Sequence, residues 1–233
     1  MNTVMKSPLD SAGAHDITMI GYEADYHRRR HGNYFDEEYY LARAEVSTKR
    51  YSLSNLTSCS VLDYGCGLGH NIALLNDAVG YDVSRFAVEF CRARGLRATD
   101  DLGDIPDGEM DVVLASHVME HHPEPLSMLG DIKQKLKPAG TLIVAVPFER
   151  HRRQWASADL DQHLFSWTFQ TLGNLLTTAG FRVDQTRYVS GTGYRKLLFL
   201  RRLHPGLYAW ATSVLGIVLN RRELVLVASN VVR

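Results

Sequence analysis

The chain has 233 residues, 45% hydrophobic and 22% charged, without low-complexity bias; this suits one soluble globular domain with a full core. Lysine plus arginine and aspartate plus glutamate both number 26, so no overall field draws in nucleic acid, and a nucleic-acid partner is not expected. Cys59, Cys66 and Cys91 form no C-x-x-C pair and the N-terminus has no apolar core segment, which together predict reduced thiols, no signal peptide and a cytoplasmic location.

In chain order, residues 1–20 read as a loose leader. Residues 36–53 carry acids first and bases late, the order a helix dipole favours, and predict a helix. The apolar run 59–65 ends at glycine and predicts a buried strand. A short helix is expected over 70–76 and a second strand over 78–84. Residues 84–95 have a serine N-cap, an amphipathic body and a glycine stop, hence a helix. Brief and longer strands follow at 96–99 and 110–117. A helix is expected over 125–140, a proline-stopped strand over 140–147 and a helix over 166–181. Segments 181–190 and 223–229 read as the last two strands.

Strands therefore alternate with helices from 59 to 181, which predicts a doubly wound α/β sheet, parallel in that region. The unbroken apolar strand at 142–146 agrees, because parallel strands are buried on both faces. Ligands bind such sheets beyond the carboxyl ends of the strands. The loops after residues 64, 82, 99, 116 and 147 are the places to look.

The first of these loops is DYGCGLGHN, 63–71, with Gly65, Gly67 and Gly69 at alternate positions. Glycines there let the backbone turn sharply and approach a ligand closely. No G-K-[ST] follows, so it is not a P-loop, and G-x-G-x-G is not the dinucleotide pattern. Asp82 ends the second strand, where a carboxylate can accept hydrogen bonds from a ribose diol. Asp101 follows the third strand, where it suits an exocyclic amine, with the Leu102 N–H beside it. Taken singly, each acid is as well explained as a cap or a solvated turn.

As an ordered set, VLDYGCGLGHN, GYDVS, DLGDIP, DVVLASHVMEHHPEP, LKPAGTLIVAVP and HLFSWTFQTLGNLLTTAGF resemble the class I S-adenosylmethionine-dependent methyltransferases, in particular the small-molecule enzymes whose fourth motif holds Glu-His. The resemblance covers about residues 59–181. It implies a Rossmann-like seven-stranded sheet, mostly parallel with the last strand antiparallel and helices on both faces. It also implies S-adenosyl-L-methionine as cofactor and in-line methyl transfer to an O, N or C nucleophile of a small molecule. By the same resemblance Asp63, Gly65, Cys66 and Gly67 lie under the methionine part, Asp82 holds the ribose, and Val83 lies against adenine. Asp101 and Leu102 then read the adenine edge, and Ser116 and His117 lie beside the cofactor. On this division, 1–58 is a leader with a cover helix and 59–233 the methyltransferase domain, with an apolar helical insertion at about 195–220.

The candidates for a base that takes the acceptor's proton are His117, His121 and His163. Arg43 is a candidate for the cofactor carboxylate. Arg150, Arg152 and Arg153 would suit an anionic acceptor. No metal is assigned; the alternative, a metal-dependent methyltransferase acting on a lipid-linked substrate with a divalent cation on His117, Glu120 and His121, rests on a Glu-x-x-Glu-His pattern used by some relatives, with His117 in place of the first Glu. A non-catalytic, cofactor-binding partner subunit is the reading from another functional class. The apolar segment 201–222 is flanked by paired arginines. It reads as a packed helix, a homodimer surface, or a peripheral contact with the inner face of a membrane.

Overall fold

A computed structural model describes residues 23–56, 58–149, 161–191 and 193–231. Arg150, Arg152 and Arg153 lie outside the described residues. Seven strands form one sheet: β1 Val61–Tyr64, β2 Ala78–Tyr81, β3 Ala98–Thr99, β4 Met110–Ser116, β5 Leu136–Pro147, β6 Phe181–Ser190 and β7 Arg222–Asn230. Their spatial order is β3-β2-β1-β4-β5-β7-β6. The pairs from β3 through β5 are parallel, and β7 runs antiparallel between β5 and β6. The expected sheet, with only its last strand reversed, is thus the one that forms.

The helices are α1 Ala24–His31, α2 Glu37–Arg50, α3 Arg85–Ala93, α4 Pro125–Lys135, α5 Phe169–Thr178, α6 Leu198–Leu203 and α7 Pro205–Val218. Local chemistry sets their starts. The Asp36 side chain accepts the Tyr39 N–H at α2, Ser84 accepts the Ala87 N–H at α3, and Thr168 and Thr171 form a reciprocal capping box at α5. The main core lies on the α4–α5 side of the sheet, built from residues such as Leu62, Val113, Met128, Leu142, Leu172 and Leu226.

Two expectations need correction. Residues 70–76 form turns, not a helix. Seven residues barely close two helical turns, too few to offset nucleation. Instead Asn71 is drawn in to donate to Asp63, and Ile72 is buried at 2% exposure. The helix expected over 125–140 ends at Lys135, and β5 starts at Leu136, which pairs with Met110. Pro138 supplies no N–H to continue a helix, and Ala139 is left-handed with φ 61°. Residues 24–31, for which no element was expected, form α1.

The insertion between β6 and β7 holds α6 and α7. Helix α7 is apolar on both its inner and its outer face. Tyr208, Thr212 and Gly216 face inward, at 1% exposure for Tyr208 and 0% for Thr212, while Trp210, Ile217 and Val218 face outward at 66%, 54% and 74%. Among the described residues no helix is long and apolar enough to cross a membrane.

Candidate active site

The β1 loop is clasped to the end of β2. Gly65 and Cys66 donate backbone N–H groups to Tyr81 O at 2.7 and 2.9 Å. Gly67 donates to Asp82 Oδ2 at 2.7 Å, and Ser84 donates to Asp82 Oδ1 at 2.9 Å. Asp82 is 8% exposed, and burial raises its carboxyl above the ordinary range. Gly65 and Gly67 are left-handed, with φ 76° and 50°. A Cβ on Gly65 would overlap Val118, whereas one on Gly67 would meet nothing within 4 Å. The loop therefore has a packed side and an open side, and the open side can receive a ligand.

Asp63 lies beneath this loop, fully buried. Its Oδ2 accepts from Asn71 Nδ2 at 3.2 Å, while Oδ1 has no hydrogen-bond partner. Burial pushes its carboxyl up to about 7. A second unmet group is a donor: Arg43 is buried, gives Nε to Tyr34 Oη at 3.2 Å, and leaves Nη1 unpartnered. The Tyr34 ring lies 4.8 Å from that of His70, the neighbour of Asn71. One orphaned acceptor and one orphaned donor suit the amino and carboxylate ends of an amino acid. At the other end, Val83 is 67% exposed, an apolar platform next to Asp82. Asp101 caps the turn 102–104 by accepting the Gly103 N–H at 2.8 Å, with the half-buried Leu102 beside it. Helix α1 adjoins this end: Glu23, at its N-cap, accepts from the Phe86 N–H at 3.3 Å.

A charged network occupies the carboxyl ends of β4 and β5. Ser116 Oγ lies 3.0 Å from Tyr51 Oη, which donates to Glu223 Oε2 at 3.0 Å. Arg50 Nη1 donates to Glu223 Oε1 at 2.7 Å. His117 places Nε2 3.3 Å from Glu223 and Nδ1 3.4 Å from Glu120. The His117 side chain is 41% exposed; its partial desolvation disfavours the charge, but the Glu120 and Glu223 carboxylates override this and hold it up at about 10. Burial would likewise raise Glu223, but Arg50 and His117 hold it down at about 2. His117 is left-handed, with φ 58°, a cost for a residue with a Cβ that the surrounding bonds must hold.

Beside this network His121 and His163 meet edge to face, with ring centroids 4.8 Å apart. His163 Nδ1 lies 2.7 Å from Glu149 Oε1, and Ser166 Oγ donates to Glu149 Oε2 at 2.6 Å. Burial lowers the His121 imidazole below its ordinary value, which favours the uncharged ring. Glu120, His121 and His163 bring one potential ligand atom each within 4.8 Å of one another. This set replaces His117 with His163 relative to the ligands weighed in the sequence.

The structure thus joins Asp63, Gly65, Cys66, Gly67 and Asp82 in one loop, Ser116 and His117 in a second group, and His121 and His163 in a third. Sequence reasoning missed Arg50, Tyr51, Asn71, Glu149 and Glu223. Glu223 had a usable signal: an acid at the start of a reversed last strand must fall at the carboxyl end of its parallel neighbour. The observed register pairs it with Pro147.

The sheet order and the glycine loop clasped by an acid define a class I methyltransferase fold, and the comparisons agree. The methyltransferase-domain family matches residues 35–186, and the chain belongs to that family of S-adenosylmethionine-dependent enzymes. A probable S-adenosylmethionine-dependent methyltransferase of Mycolicibacterium smegmatis is 29% identical over 173 residues, covering 70% of this chain and 67% of that protein. The ubiquinone biosynthesis O-methyltransferase of Methylococcus capsulatus is 33% identical over 103 residues, covering 38% of this chain and 44% of its own. Among solved structures, the Burkholderia thailandensis 1,6-didemethyltoxoflavin-N1-methyltransferase, with S-adenosylhomocysteine bound, superposes with a TM-score of 0.58 at 18% identity. It covers 89% of this chain and 84% of that one. S-adenosylmethionine is the cofactor.

Proposed function

We propose that the chain moves a methyl group to an oxygen, nitrogen or carbon nucleophile of a small molecule held against the ends of β4 and β5. One observation carries this: the open side of the Asp82-clasped glycine loop and the His–Glu pair of His163 and Glu149 both lie at the carboxyl edge of the sheet. When bound, S-adenosylmethionine supplies a methyl group already activated on a sulfonium, so the protein's task is mainly placement. Asp63 Oδ1 and Arg43 Nη1 would hold its amino-acid end, Asp82 the ribose, Val83 the base, and Asp101 with the Leu102 N–H the base edge. Cys66 would line the loop and Ser116 the inner wall.

On the acceptor side, the histidines divide by charge. His117, protonated between two carboxylates, donates hydrogen bonds and orients the acceptor. His163, backed by Glu149, takes the acceptor proton, with His121 as its neutral neighbour. The name of the Methylococcus relative makes phenolic oxygens the first acceptor class to screen. Calorimetry with S-adenosylhomocysteine tests the reading. Binding at micromolar affinity is expected, weakened at least tenfold by Asp82→Ala, which strips the acceptor from the Gly67 and Ser84 N–H groups. No binding to the intact chain would overturn it.

A second reading, metal-assisted transfer, is favoured by the Glu120–His121–His163 cluster, whose buried carboxylate has only the long contacts to His117 and His121 at 3.4 and 4.0 Å. Activity indifferent to chelators, with no bound metal by elemental analysis, would dismiss it.

A further inference from the structure

We infer that the outer face of α6–α7 is a docking surface for a bilayer bearing anionic headgroups. An ordinary surface helix turns its apolar stripe to the core and its polar side to water. Helix α7 is apolar nearly all round, so one apolar face packs inward around Tyr208 and a second is left in solvent. Leu207, Trp210, Val214, Ile217 and Val218 lie within about 100° of one another around the axis at 3.6 residues per turn, and all are exposed. The hydroxyl-bearing Tyr208 and Thr212 are buried, with Thr212 Oγ1 donating to Tyr208 O at 2.9 Å. Gly216 lets this inner face approach closely, since a Cβ there would strike the Gly191 backbone. The inner face is therefore fixed by packing, and the helix cannot roll to hide its apolar side. Helix α6 extends the outer stripe with Phe199 at 55% and Leu203 at 72% exposure.

Charge selects the occupant. From Arg195 to Arg222 there are six lysines and arginines and no acid. Arg195, Arg201 and Arg202 pair with Asp36, Glu45 and Glu38 of the α2 segment. Lys196, Arg221 and Arg222 have no ion pair among the described residues. A two-fold contact between copies would set this patch against itself, cation rim facing cation rim. A bilayer interface instead offers an apolar layer under anionic headgroups, with an indole seated at the boundary. At 14 residues α7 is about 21 Å long, too short to span and suited to lying in the plane. The stripe also leads to the site: Leu219, Asn220 and Arg221 line a shallow cavity with Phe148, and Phe148 N donates to Arg222 O at 2.9 Å.

Flotation of the full chain tests this, with vesicles of phosphatidylcholine alone and with about 30% phosphatidylglycerol. The expected result is flotation with the anionic vesicles, weakened at least tenfold by W210N/I217N and reduced by high salt. Both positions face solvent, so the double variant should keep its melting temperature and its S-adenosylhomocysteine affinity, measured in parallel. No flotation, or flotation unchanged in the double variant, overturns the proposal. So does sedimentation showing a dimer that the double substitution dissolves while vesicles are ignored. Failure here leaves the cofactor calorimetry untouched, because the two readings rest on different faces.

Discussion

Asp63→Asn is a near-isosteric change that removes one buried charge, and its effect depends on pH with a definite sign. The carboxyl titrates at about 7 in the folded protein against an ordinary 3.8. A folded value raised above the unfolded one means the native state holds its proton while the unfolded chain has lost it. The resulting stability is fully present below 3.8, falls as pH rises, and is gone above about 7. The slope is about 1.4 kcal/mol per unit near pH 5 and halves as pH reaches 7, so the loss over this window is roughly 2 kcal/mol. The variant does not titrate there, so the wild-type minus variant stability should fall by about that amount over the window. Against this, the new amide places an N–H where Oδ1 now lies unpartnered, which costs about 1–3 kcal/mol at every pH. Urea unfolding by circular dichroism across pH 5–8 reads the difference directly. A flat difference, or one that grows with pH, would refute burial as the cause. Cofactor affinity should move the opposite way. An ionised Asp63 is the better partner for an ammonium, so wild-type binding should strengthen from pH 5 to 7 and the variant's should not.

Gly65→Ala should cost about 2–4 kcal/mol, from the left-handed backbone and the overlap with Val118; adding Val118→Ala should recover only the second part, as unfolding curves of the pair would show. Glu149→Gln should lower kcat by about a hundredfold while leaving the S-adenosylhomocysteine affinity unchanged; unaltered turnover would exclude the His163–Glu149 pair from proton transfer. Arg50→Met should destabilise by about 3 kcal/mol, because it leaves Glu223 buried with His117 as its remaining cation; a change under about 1 kcal/mol in denaturant melts would show the network to be far wetter than its geometry implies.

Much of the fold could be read from alternation alone. Short apolar runs bounded by glycine and serine set β1, β2 and α3, and the parallel pairing of β1 with β2 then brings Asp82 to the glycine loop. The boundary at Lys135 was harder, since a stretch ending in Pro-Ala-Gly suits a helix stop as well as a strand with one left-handed residue. Helix α7 shows why pattern alone has limits: its periodicity marks two faces without saying which one turns inward. Packing against Gly191 decides that. The network around His117 was hidden for another reason. Arg50 and Glu223 are 173 positions apart and meet only because β7 enters the sheet reversed. Local spacing carries no trace of such a pair.

The register of the last hairpin has a topological consequence. Ser190 on β6 is paired directly with Arg222 on β7, so the two strands are already within reach of a tight turn before the chain departs into α6 and α7. Everything between them is an excursion from a closed hairpin. Its length and content can change without shifting Glu223, whose position is fixed by Val189 on one side and Pro147 on the other. The strand register does not need the excursion, but α2 does: Leu198 and Tyr208 bury Tyr39, Ala42 and Val46, so the insertion secures the helix that carries Arg43 and Arg50.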